Sequence, residues 1–192
     1  MKLNRLYLRL TSDEIVHAAN RYHFGDQMIF FQKVYERVVK CINPVLYYEY
    51  DYPEKNQVTA IISLGNGPDQ MMENCQEREN FLEAYAVECL GLELLSCSYE
   101  QFKELIHRER RQFMNAMQFW DADELAIMLP LLQKRWDEVP VSMNEAYALL
   151  PSKSVIFYGI LEEFSRCKQH LCSHCRHKNC VFRTTTGDNY DI

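Results

Sequence analysis

Between Phe164 and Gly187 the chain has no acidic residue, although overall it carries 27 Asp and Glu against 21 Lys and Arg. Other absences are equally informative. No apolar run approaches the length of a membrane span, so no transmembrane helix is expected. The opening stretch MKLNRLYLRLTSDEI is broken by Asn4, Arg5 and Arg9 before an apolar signal core forms, which points to a cytoplasmic protein. There is no internal repeat, low-complexity tract or flexible linker. No Ser-His-Asp pattern or phosphate loop occurs, and the histidines are scattered or lie near the C-terminus, so no catalytic residue is assigned. A net charge of −6 argues against nucleic acid or an anionic membrane as partner.

What is present fits one domain of ordinary size, residues 1–163, followed by a cysteine-rich tail, 164–183, and a short terminus, 184–192. RLYLRL alternates Leu6, Leu8 and Leu10 with Tyr7 and Arg9, the pattern of a strand with one buried face. Thr11 and Glu14 have capping-box spacing and predict a short helix carrying Ile15, Ala18 and Ala19 inward. Asp26 is placed to cap a second helix, whose stripe is Met28, Phe31, Tyr35, Val38 and Ile42. VLYYEYDY and QVTAIISLG read as strands, and Pro68 suits the first position of a helix. The longest periodic segment includes Leu82, Tyr85, Cys89, Leu92, Leu95, Tyr99, Phe102 and Ile106, and predicts a helix spanning the domain. Asp121 and Glu124 start another, which Pro130 is expected to kink or end. Ser142 and Glu145 repeat the capping-box spacing before AYALL, and SVIFYGIL reads as a strand. Long helices and strands without regular alternation give an α+β class with a twisted antiparallel or mixed sheet and long flanking helices.

The eight cysteines form two groups. Cys41, Cys75, Cys89 and Cys97 stand singly in helical segments and read as small buried hydrophobes. Cys167, Cys172, Cys175 and Cys180 are clustered as Cys-x4-Cys-x2-Cys-x4-Cys. Four thiolates can close a tetrahedral zinc site or hold an iron–sulfur cluster, and the central x2 pair is the usual chelating bite. Arg166, Lys168, Arg176, Lys178 and Arg183 favour the thiolate form, and His170, His174 and His177 are reserve ligands or donors around the ligands. Zinc, iron–sulfur and free or redox-paired thiols all remain open on spacing alone.

Three stretches together resemble the activation domain of cobalamin-dependent methionine synthase, in the stand-alone form found in anaerobic bacteria. TAIISLGNGPDQMMENCQERENFLEAYAVECLGLELL resembles that family's strand ending in Leu-Gly, its Asp-containing turn and its long helix. LLPSKSVIFYGIL resembles the Pro-x-x-Ser-Val strand, and CSHCRHKNCVFR the Cys-x2-Cys-x4-Cys-x2-Arg ending. The resemblance implies an S-adenosylmethionine site at Arg111, Ser154, Val155 and Tyr158. Against it, Asn115 and Ala116 stand where the family's Arg-x3-Gly-Tyr motif has glycine and tyrosine, and Ile156 and Phe157 replace small polar residues. The implied function is an accessory protein for reductive reactivation of a corrinoid protein or cobalamin-dependent methyltransferase. The alternative is a non-catalytic binding module with a decayed adenosylmethionine pocket and a structural zinc clip.

Overall fold

The computed structural model describes residues 1–51, 56–136 and 139–164. Their architecture is α+β. Five strands, β1 (Lys2–Arg5), β2 (Val45–Asp51), β3 (Gln57–Ser63), β4 (Phe113–Phe119) and β7 (Ser154–Glu162), form one sheet in the order β1-β2-β3-β7-β4. Every neighbouring pair is antiparallel. Helices α1 (Ser12–Arg21), α2 (Met28–Cys41), α3 (Gly67–Glu77) and α4 (Phe81–Arg110) precede β4; α5 (Ala122–Arg135) follows it.

The sheet is covered on both faces. Leu46 and Tyr48 of β2, Ala60 and Ile62 of β3, and Phe157 and Leu161 of β7 join the larger core with α1, α2 and α4. The alternate residues Tyr47, Ile61 and Ile156 point the other way, onto Leu125, Leu129 and Leu132 of α5 and onto Trp136. A strand buried on both sides loses its polar alternation, which is why β3 reads as an unbroken apolar run.

Local chemistry sets most boundaries. The Thr11–Glu14 capping box is formed at α1, and Asp121 with Glu124 forms a second at α5. Pro68 lies in the first turn of α3. Helix α4 runs for 30 residues, but its buried face in the first turns is Ala86, Val87 and Leu90, while Leu82 and Tyr85 are exposed.

Several expectations are corrected. The first strand occupies Lys2–Arg5, earlier than the Leu6–Leu10 alternation. Leu8 is buried and Leu6 and Leu10 pack on the core, but the backbone there leaves the sheet, and the Leu10 N–H donates to Tyr35 Oη at 2.8 Å. Asp26 sits in a 3-10 turn, and α2 has no side-chain cap. Pro130 lies inside α5 without ending it; its missing N–H falls on the exposed side of the helix. The helix expected after Ser142 is instead a hairpin of β5 (Ser142–Met143) and β6 (Leu149–Leu150). Asn144 decides this: its Oδ1 accepts from the N–H of Ala146 and of Ala148, closing a turn.

Candidate functional site

Two of the stretches that carry the resemblance meet at one end of β3 and β7. Ser63 and Ser154 are register partners, and the Ser154 hydroxyl donates to Ser63 Oγ at 2.8 Å in a buried position. The Leu64 N–H donates to the carbonyl of Lys153 at 2.9 Å, and the Gly65 N–H to Ser63 Oγ at 3.1 Å. Gly65 has φ +79, a conformation that favours glycine at this turn. The chain then enters α3 with Asp69 in its first turn.

Asp69 reaches across to the residues just before β7, which follow the cis Leu150–Pro151 peptide. Its carboxylate accepts the backbone N–H of Ser152 at 2.7 Å and also the Ser152 hydroxyl. The neighbouring Lys153 is almost fully buried. Its ammonium donates to Glu88 Oε2 of α4 at 2.7 Å and to Ser152 Oγ at 3.1 Å. The lysine stem lies over Gly91, where a Cβ would come within 2.8 Å of Lys153 Cε. The mid-helix glycine is therefore the space through which the lysine reaches Glu88.

Chemically this cluster is a clamp. Lys153 is matched by Glu88, Asp69 by Ser152, and Ser154 by Ser63, so the charges and hydroxyls are satisfied by one another. A buried ammonium needs such pairing to stay in the fold. Separately, a cleft of 530 Å³ is lined by residues of α2, α3 and the start of α4, among them Arg37, Gln70, Cys75, Arg78 and Glu83. Arg37 pairs with Glu83 there. Its volume is in the range of small-ligand sites.

The other residues implied by the resemblance are spread along the sheet. Val155 packs against the larger core. The Tyr158 hydroxyl donates to Gln118 Oε1, and its ring is tilted against Trp120 at 5.7 Å. Arg111 is the left-handed residue that ends α4, with φ 58. It precedes Phe113, the partner of Glu162 at the far end of β7 from Ser154. Ser154 and Glu162 are the two ends of the nine-residue β7, about 26 Å apart. The structure thus gathers Ser154 with Asp69, Ser152 and Lys153, and leaves Arg111 at the opposite end.

No protein-family model matches this chain, and no curated protein does.

The scattered cysteines behave as apolar groups. Burial pushes the Cys89 thiol up to about 11 and raises those of Cys41, Cys75 and Cys97. Among the described residues no group of three or more His, Cys, Asp or Glu is placed to hold a metal, and no helix is long and apolar enough to cross a membrane. Cys167, Cys172, Cys175 and Cys180 lie outside the described residues. Their donor chemistry, four thiolates among cations, suits zinc or iron–sulfur.

Lys153 and Glu88 are the site residues that sequence patterning missed. The available signal was Gly91, one turn beyond Glu88 in a helix otherwise built from good helix formers, because such a glycine marks a close approach.

Proposed function

We propose that this chain is an accessory protein to a corrinoid protein or cobalamin-dependent methyltransferase and supports reductive return of its cobalt to the active state. The observation that carries this reading is the Asp69–Ser152 junction. Asp69 belongs to the turn after Leu64-Gly65 and Ser152 to the Pro-x-x-Ser-Val stretch, and both stretches resemble the same family. Here they act as one unit across 83 positions of chain. In this reading the α+β body is the docking part. Cys167, Cys172, Cys175 and Cys180 hold an iron–sulfur cluster, which when bound supplies single electrons at low potential.

A second reading is favoured by a separate observation. Arg111 stands a strand length from Ser154, and the Ser154 and Tyr158 hydroxyls are already engaged. In this reading these residues serve the sheet and give no common cradle to S-adenosylmethionine. The chain would then be a non-catalytic binding module, with a zinc ion at the terminal cysteines fixing the C-terminus.

Anaerobic isolation separates the two readings. The first predicts iron and acid-labile sulfide bound to the chain, with broad visible absorbance that bleaches on reduction. A colourless protein holding about one zinc per chain supports the second. Calorimetric titration with S-adenosylmethionine tests the methyl donor: heat assigns it to this chain, and no heat at millimolar ligand removes adenosylmethionine binding from this chain.

A further inference from the structure

We propose that the last turns of α4 and the adjoining edge strand β1 form a docking surface for an acidic face of a partner protein. The end of α4 carries His107, Arg108 and Arg110, and Arg111 follows. Lys2 and Arg5 lie on β1 and Arg9 just beyond it. One of these cations is neutralised: Lys2 donates to Glu109 at 2.8 Å, and Glu109 also accepts from the hydroxyls of Tyr48 and Tyr50. Arg5, Arg9, Arg108, Arg110 and Arg111 have no carboxylate partner among the described residues.

Two of these arginines converge. Arg5 and Arg108 line the same groove of 310 Å³, together with Tyr7, Gln101 and Leu105. Glu104 is its one carboxylate. The helix dipole accounts for cations at the end of α4, but not for Arg5, which reaches the groove beside Arg108 from the N-terminal segment. Tyr7 is 75% exposed beside the groove, with the Arg9 guanidinium over its ring at 5.4 Å. Exposed tyrosine and arginine are the residue types that dominate interface binding energy.

Charge distribution identifies the occupant. Arg5 and Arg108, facing one groove in a chain with net charge −6, repel one another and are relieved by an anionic surface. A short groove lined by Gln101 and Leu105 suits carboxylate side chains on a protein, whereas the acidic remainder of the body opposes a long polyphosphate.

The test uses the full chain and a peptide of about ten glutamates as the anionic probe, with a single-stranded oligonucleotide of matching charge in parallel. Expected are saturable peptide binding and amide shift changes centred on Arg5, Tyr7, Gln101, Arg108 and Arg110. Salt of about 0.15 M weakens the binding. The variant R5Q/R108Q/R110Q should bind at least about tenfold less tightly with its Tm unchanged, and K33Q/K134Q should bind like the parent. Absence of saturation, or shift changes dispersed over the body, overturns the proposal even if the triple variant does not fold. Tighter oligonucleotide binding at the same residues also overturns it and assigns the surface to nucleic acid. No metal or corrinoid enters the experiment, so its failure leaves the proposed function standing.

Discussion

Asp69 holds Ser152 by two hydrogen bonds, one to its backbone N–H at 2.7 Å and one to its hydroxyl, and so joins the first turn of α3 to the start of β7. Replacing Asp69 by Ala leaves the Ser152 N–H without its acceptor. A loss of about 1.5–3 kcal/mol is expected from hydrogen bonds to a charged group. Ser152→Ala keeps the backbone bond and should cost about 0.5–1.5 kcal/mol. Urea unfolding of both variants checks the order. Equal stability of Asp69→Ala and the parent would show that the clamp contributes nothing.

Gly91 and Lys153 make a second coupled pair. Gly→Ala inside a helix ordinarily gains about 1 kcal/mol. Here the added methyl meets the stem of a lysine held by Glu88, so Gly91→Ala should destabilise the protein by about 1–3 kcal/mol. In a Lys153→Ala background the same change should recover the ordinary helical gain. A four-protein unfolding cycle measures the difference; additive effects would mean that the lysine does not occupy the space over Gly91.

Glu109 gives a pH dependence with a definite sign. Burial pushes its carboxyl up, but hydrogen bonds from Lys2, Tyr50 and Tyr48 outweigh this and hold it below the ordinary value. A folded-state value that is lowered adds stability above the unfolded value, about 4.3 for glutamate, and this stability is lost as pH falls through the folded value. Above about pH 5 the parent should exceed Glu109→Gln by a constant margin. The margin should shrink below about pH 4. Urea midpoints measured across that range test the prediction, and a margin that widens on acidification would contradict it.

The cysteines of the body should be poor nucleophiles. With Cys167, Cys172, Cys175 and Cys180 replaced by Ser, only Cys41, Cys75, Cys89 and Cys97 remain. Burial raises the pKa of all four, that of Cys89 to about 11. At about pH 8 the native variant's Cys89 should react with a thiol reagent on the order of 10²-fold more slowly than an exposed cysteine. Unfolding should release all four. Rapid labelling of Cys89 in the folded protein would contradict its assignment as a core residue.

Helix α4 and strands β2, β3 and β7 were legible because each keeps a clean period or a long apolar run. Strand β4 was not. Its register shifts between Met114 and Ala116, so the two inward residues, Met114 and Met117, are three apart and the two-residue alternation is lost. The hairpin at Ser142–Leu150 was hidden by a capping-box spacing that Asn144 overrides through bonds to two backbone amides. At the site, Asp69 and Ser152 each lay in a recognisable stretch, but their pairing is long-range and no local pattern encodes it. Gly91 alone carries only the local signal of a weakened helix, because the Lys153 stem that occupies the space over it comes from a distant segment. The expected ligand set, Cys167, Cys172, Cys175 and Cys180, lies outside the described residues.

The central claim is support of cobalt reactivation, and it is tested most directly on a corrinoid protein held in its inactive cobalt(II) form. The chain, isolated without oxygen, is added with a reductant and S-adenosylmethionine, and the cobalt(II) electron paramagnetic resonance signal is followed. The account predicts that the signal decays faster with the chain than without it, and that replacing Cys172 and Cys175 by Ser removes the acceleration. Decay at the same rate with and without the chain, for a corrinoid protein that binds it, would contradict the account.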